Sequence, residues 1–264
     1  MTSALPQAAS DQPEPLTGLR TGAQYLAEIG NDGRQVIYDG EVVRDVTSHP
    51  AFSGAARSIA GLWDIAADPA NRALMTYPSP KTGKPVLWCY HIPRTPEDLR
   101  PRRRMIQRWT EHTFGLMGRT PDHVAGFFAG FAAMPDFFAT AGQRYADNLI
   151  AFYEYARDNH LYISYALAPP QIDRSKPSHQ QSDPTLCAGV VAERDGGIVL
   201  KGAQQLATGA PFSDYLFLSC IHPQVPGDEN HAISVAIPIN APGMKIYARR
   251  SYATNAVTTF DYPL

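Results

Sequence analysis

Apolar residues recur every three or four positions through the first 160 residues and then in short runs broken by Gly, Pro and Asp, and this change of period predicts two kinds of structure in one chain. Ile59, Leu62, Trp63 and Ala66 form an i, i+3, i+4, i+7 stripe that predicts a buried helix face, closed by Asp68-Pro69. Thr21 and Gln24 have capping-box spacing and open a short helix carrying Tyr25, Leu26 and Ile29, which Gly30 stops. Thr95, Pro96, Glu97 and Asp98 supply an N-cap, an N1 proline and first-turn acids for a long Arg-rich helix. Val124, Phe127, Phe128 and Phe131 follow as an aromatic stripe, with Gly126 and Gly130 leaving room for another helix. Leu149, Phe152, Tyr153 and Ala156 mark a last helix that ends near Asn159-His160.

The β signals are of two kinds. In QVIYDGEVV the Asp39-Gly40 pair predicts a type I′ hairpin, and an irregular loop from Pro78 to Pro85 leads to a short strand, Val86 to Ile92, with His91 as a satisfied structural residue. From Leu161 onward the runs Leu161 to Leu167, Cys187 to Glu193, Ile198 to Lys201, Tyr215 to Ile221 and Ala232 to Ile237 read as strands. Residues 1–16, rich in Pro, Ala, Ser and Gln, read as a disordered leader. The division is thus leader 1–16, a mainly helical domain 17–160 and a β domain 161–264, an α+β chain with no fixed-period repeat.

Composition narrows the function. The 264 residues are 44% hydrophobic and 18% charged with a net charge of −2, so no global basic surface invites nucleic acid or an anionic membrane. Arg100, Arg102, Arg103, Arg104 and Arg108, interleaved with Leu99, Ile106 and Trp109, read as the wet face of an amphipathic helix. Cys89, Cys187 and Cys220 are far apart and read as buried free thiols, and the eight histidines form no HxxxH or HExxH pattern, so no metal site is expected. No Walker or GxGxxG loop and no GxSxG elbow occurs. No charged-then-apolar leader and no membrane-length apolar run is found, which leaves a cytoplasmic location as the default.

Helix-stop, helix-start and chemical signals coincide in GLMGRTPDH, residues 115–123. Gly115 and Gly118 suit a sharp turn, Thr120 an N-cap, Pro121 the first helical position and Asp122 the positive end of the helix dipole. Arg119 then sits at a helix start with His123 in the first turn, close enough in sequence to share a pocket for a phenolate or carboxylate. An arginine in such a turn can equally cap a carboxylate or meet solvent.

Together with RTGAQYL, DGEVVRDVTSHPAF, TPEDL, YALAPPQIDRSKP, GGIVLKGAQQLATG and PINAPG, this segment makes the chain, from residue 17 on, resemble the oxygenase components of the 4-hydroxyphenylacetate 3-monooxygenase family. The resemblance implies an acyl-CoA-dehydrogenase-like fold: helical domain, β-barrel-like domain and a C-terminal helical bundle, the last absent here. It implies a two-component aromatic monooxygenase in which reduced FAD, supplied by a separate flavin reductase, activates oxygen and a phenol is hydroxylated ortho to its hydroxyl. On that resemblance Arg119 stabilises the phenolate, and the flavin contacts fall on Tyr165, Ala166, Leu167, Ala168, Gln171, Ile172, Asp173, Arg174 and Thr208. Cys220 and Ile221 line the substrate cavity by the same resemblance; their bland reading is β-domain core.

Two departures bear on the substrate. The tyrosine of the family's GRxPDY motif is His123 here, and the histidine that usually precedes Ala-Leu or Ala-Ile is Tyr165, so the two hydroxyl-contacting partners look exchanged. An Arg119, His123 and Tyr165 set keeps phenol chemistry while leaving the phenol's identity open. Family members continue past FDYPL, which predicts either a fragment or a partner polypeptide, and a homo-oligomer in the full-length form. The alternative is a catalytically silent fragment or assembly module. The related 4-hydroxybutyryl-CoA dehydratases hold an iron–sulfur cluster, for which no paired cysteines lie near Arg119.

Overall fold

The computed structural model describes residues 18–183, 185–194, 196–221 and 223–251. The leader and the FDYPL end lie outside these. Two compact units emerge, and neither is one continuous stretch of chain. The larger, helical unit takes in residues up to 164, then 208–215 and the segment from 238 onward. The smaller β unit is made of 165–207 and 216–237. The sequence places a single division between 160 and 161, whereas two later segments return to the helical unit.

In the helical unit α1 (Gly22–Gly30) begins at the expected capping box, with Thr21 accepting from the Gln24 amide. Strands β1 (Val36–Tyr38) and β2 (Glu41–Val43) pair antiparallel across Asp39 and Gly40, both at positive φ (56° and 87°), as a type I′ turn requires. Helix α2 (Ser53–Ala67) buries the predicted stripe, and Trp63 packs edge-on against Trp109. A short helix α3 (Arg72–Met75) leads into the hairpin β3 (Thr76–Pro78) and β4 (Pro85–Leu87). The predicted strand Val86 to Ile92 is therefore shorter: Trp88–Tyr90 coil into a 3₁₀ turn that stacks Trp88 on Tyr77. His91 packs its ring on both, but its buried Nδ1 has no hydrogen-bond partner among the described residues, against the expectation of a satisfied histidine.

Helix α4 (Leu99–Thr113) follows a 3₁₀ turn at Pro96–Asp98, where the Asp98 carboxylate accepts from the Arg94 and Thr95 amides. Met105 and Trp109 face inward, and Arg100, Arg103 and Arg104 are exposed. Arg102 and Arg108 are half-buried, so the arginine cluster is not wholly a wet face. Helices α5 (Asp122–Ala132), α6 (Pro135–Ala139) and α7 (Gln143–Asp158) complete the layer. Phe128 packs on Phe131 and Phe152. Gly126 admits the Arg102 guanidinium rather than a neighbouring helix backbone, and among the described residues nothing beyond its two chain neighbours and the helix's own backbone lies within 4 Å of the place a side chain would take at Gly130.

The returning segments close this unit. Arg20, buried, forms a two-point ion pair with Asp214 (2.8 and 3.0 Å), and the Tyr25 hydroxyl donates to the Phe212 carbonyl (2.8 Å). Strand β10 (Ile246–Ala248) lies parallel beside β1, Val36 opposite Ile246, giving the order β10-β1-β2.

The later strands are β5 (Ile163–Ala166), β6 (Gly189–Arg194), β7 (Gly197–Lys201), β8 (Tyr215–Ser219) and β9 (Ser234–Pro238), in the five places the alternating runs predict; β5, β8 and β9 run on into segments of the helical unit, while β6 and β7 fall wholly in the β unit. They form a three-stranded sheet, β5-β8-β9, and a β6-β7 hairpin bulged at Val190/Ala192. Cys187 is buried in this unit and Cys89 in the other, while Cys220 is half-buried, so the expectation of buried thiols holds for two of them.

Candidate functional site

The GLMGRTPDH turn is built by a helix stop and a helix start. Phe114 caps α4 in the left-handed region (φ 53°) and Gly115 follows at φ 75°, while Gly118 keeps an ordinary backbone. The next helix starts one residue later than the spacing predicts, with Pro121 rather than Thr120 at the capping position. The Thr120 carbonyl accepts from the His123 amide (3.1 Å), and its hydroxyl bonds the Asp122 carboxylate instead of a helix amide. Asp122 is buried, and burial holds its carboxyl above the usual carboxylate range against the pull of Thr120 and of the Arg102 charge.

His123 is half-buried, its ring edge-on to Phe127 at 4.8 Å. Burial first and the Arg119 charge second lower its pKa below the ordinary 6.5; Asp122 opposes and Arg102 adds to the shift. The imidazole is therefore neutral at neutral pH and able to accept a proton. Arg119 itself is exposed, with one guanidinium nitrogen near the Gly118 carbonyl (3.2 Å). Its backbone carbonyl is held by the Tyr162 hydroxyl at 2.8 Å. The turn thus carries a cation and a neutral base on a pinned backbone, a combination that can bind a phenol and take its proton.

Arg102 belongs to this surrounding and was not legible as such. Its Cζ lies 2.8 Å from where a side chain at Gly126 would begin, so the guanidinium rests on bare helix backbone one turn after Asp122. The available signal was a glycine inside a helical stripe, which marks close approach by something.

The other candidates, apart from Thr208, fall in the β unit. There the Tyr165 hydroxyl shares a hydrogen bond with Ser219 Oγ (2.8 Å) and its ring stacks on Phe217 (5.3 Å, 24°). Ser219 was not singled out in the sequence, and the Gln204 side-chain amide donates to its carbonyl (3.2 Å). Ala166 is buried, and Leu167 and Ala168 are half-buried, with Ala168 joined to Gln205 by two backbone hydrogen bonds (3.2 and 2.7 Å). Beyond them Gln171, Asp173 and Arg174 are exposed and Ile172 half-buried; Gln181 ties this loop by accepting from the Asp173 amide and donating to its carbonyl. Ile221, 53% exposed, is not core, and Cys220 beside it is half-buried. Thr208 is exposed and falls in the helical unit.

The exposed loop at residues 171–174 presents a side-chain amide, a guanidinium and the Asp173 carboxylate, itself engaged by Ser175 and Lys176, and such polar groups suit a large polar cofactor such as FAD. Among the described residues no group of three or more His, Cys, Asp or Glu side chains is placed to hold a metal ion, and no helix is long and apolar enough to cross a membrane.

Comparison with known proteins adds what geometry alone does not. The family model described as the 4-hydroxyphenylacetate 3-hydroxylase N terminal matches residues 21–264. The oxygenase component of 4-hydroxyphenylacetate 3-monooxygenase from Thermus thermophilus is 34% identical over 245 residues, 93% of this chain and 49% of that protein. A crystal structure of such an oxygenase component complexed with FAD and 4-hydroxyphenylacetate superposes with a TM-score of 0.81 at 34% identity, covering 89% of this chain and 48% of that one. An oxygen-tolerant 4-hydroxybutyryl-CoA dehydratase from N. maritimus gives a TM-score of 0.78 at 26% identity over 88% of this chain and 46% of that one. The chain spans about half the length of the relatives it matches.

Proposed function

Because the chain belongs to the 4-hydroxyphenylacetate 3-hydroxylase family, we propose that it is the N-terminal part of a reduced-FAD-dependent monooxygenase that hydroxylates a phenol ortho to its hydroxyl. The observation that carries the reading is the pairing of exposed Arg119 with neutral, half-buried His123 on one pinned turn.

The roles follow from the groups. Arg119 offers a permanent cation to the phenol oxygen, lowering the energy of the phenolate, and the unprotonated imidazole nitrogen of His123 takes the proton. The ring then carries more negative charge at its ortho carbons. Asp122 balances the arginines next to that base, and Phe127 shields one edge of the imidazole from water. Reduced FAD, when bound, supplies the electrons that activate oxygen. We assign it to Tyr165 to Ala168, Gln171 to Arg174 and Thr208, and assign Tyr165, Cys220 and Ile221 to the substrate, on the family resemblance. A flavin reductase would supply the cofactor, and the location would be cytoplasmic. The exchange of His and Tyr between positions 123 and 165 leaves the phenol's other substituents unassigned.

Anaerobic titration of the chain with reduced FAD, followed by oxygen, a panel of phenols and chromatography for catechols, tests this. Saturable flavin binding and a catechol support the reading. The second reading, a catalytically silent module of the family, draws on the half-length match, and neither flavin binding nor product would favour it.

A further inference from the structure

Tyr162 is fully buried, and its main chain is tied down: its amide donates to Asp214 Oδ2 (2.7 Å) and its carbonyl accepts from the Asp214 and Tyr215 amides (2.8 and 3.3 Å). From this fixed base the side chain does two things at once. Its hydroxyl donates to the Arg119 carbonyl (2.8 Å), and the end of its ring occupies the space beside Gly209, where a side chain would meet Cζ at 3.2 Å. Gly209, at φ 82°, is the residue after Thr208, and its carbonyl accepts from Phe212 to start the next 3₁₀ turn (2.9 Å). All of these residues lie in the helical unit. Burial, with the charge of Asp122 next, keeps the Tyr162 phenol protonated, so it remains a donor.

We propose that Tyr162 is a positioning residue that holds the Arg119 turn and the Thr208-Gly209 turn as one piece, so that the cation meant for the phenol keeps its place relative to a turn assigned to the cofactor. The inference rests on the reading of Arg119 as the phenol-binding cation. Any buried tyrosine hydroxyl bonded to a carbonyl stabilises a fold; what is specific here is that the acceptor belongs to the arginine and the ring end replaces a side chain on the second turn. Tyr153, buried in the same unit with its hydroxyl on the Tyr90 carbonyl (2.5 Å), provides the comparison.

The test uses the full chain and 4-nitrophenol, whose phenolate absorbance reports its ionisation. Bound to the native chain, the phenol is expected to ionise at lower pH than when free, and Arg119→Ala abolishes that displacement. Tyr162→Phe reduces the displacement by at least half and weakens binding about tenfold, whereas Tyr153→Phe, which loses a like hydrogen bond, leaves both unchanged. No displacement in the native chain, or its survival in Arg119→Ala, overturns the reading of Arg119 and the inference with it. Loss in Arg119→Ala with survival in Tyr162→Phe, or equal effects of Tyr162→Phe and Tyr153→Phe, overturns the inference alone. A second measurement needs no variant: hydrogen exchange of the native chain with 4-nitrophenol should slow at both 115–123 and 208–213. Protection confined to 115–123 refutes the proposal even if Tyr162→Phe does not fold.

Discussion

At the scale of single residues the charge states of two histidines differ in what they do. His123, half-buried, is kept neutral beside the exposed Arg119 cation. Replacing that cation, Arg119→Ala, should weaken phenolate binding by roughly tenfold to a hundredfold, the usual worth of a charge-assisted hydrogen bond, as read by absorbance titration with 4-nitrophenol. His160 is neutral for a structural reason: full burial, and then the Arg20 charge, push its pKa down to about 4. The unfolded chain therefore binds a proton near pH 6.5 that the folded chain refuses until about pH 4, so stability is intact above 6.5 and falls as pH drops through that window, by about 3 kcal/mol. His160→Asn, which tolerates the left-handed backbone found there (φ 55°), should flatten the acid side of a urea-melt pH profile. That Arg119 and His123 share one turn was legible from its residue types; the approach of Arg102 to Gly126 was not, because an arginine among arginines on a helix carries no sign of where its long side chain ends.

At the scale of elements, local signals were read well wherever one residue type solves one backbone problem. Thr21 with Gln24 and Asp39 with Gly40 are of this kind. The stop of β4 at Leu87 was missed because Trp88 and Tyr77 gain more by stacking than the strand gains by continuing, a choice made by partners distant in sequence. Gly126 shows how an element can serve a site. Alanine in a helix interior ordinarily stabilises by up to about 1 kcal/mol, but here a Cβ would displace the far end of Arg102. Gly126→Ala should therefore remain folded, move Arg102 away and raise the His123 midpoint toward 6.5, which NMR titration of the imidazole would register. An unchanged midpoint would mean that Arg102 does not set the charge state of that base.

At the scale of the whole molecule the α+β class and the five later strands were legible, and the discontiguous helical unit was not. Period and turn chemistry report on windows of about a dozen residues, whereas the recruitment of 208–215 and of β10 rests on Arg20 with Asp214 and on the β1 edge. Asp214 is the hub, bonding Arg20 and the Tyr162 amide together. Asp214→Ala strips a buried guanidinium of its main partner and should cost about 3 kcal/mol, seen as a lower midpoint in chemical denaturation. A loss below about 1 kcal/mol would indicate that Glu28, the other partner of Arg20, suffices.

The same pair sets a clock. Arg20 and Asp214 are 194 positions apart, so a ribosome working at common speeds exposes the first on the order of ten to forty seconds before the second. Through that interval α1 can close on α2, with the Gly22 amide on Asp64 and Tyr25 beside Trp63, while Tyr25 and Arg20 wait without the Phe212 carbonyl and the Asp214 carboxylate. The helical unit is completed only after residue 214 has been made, and until then the Arg20 guanidinium lacks the carboxylate it is buried against.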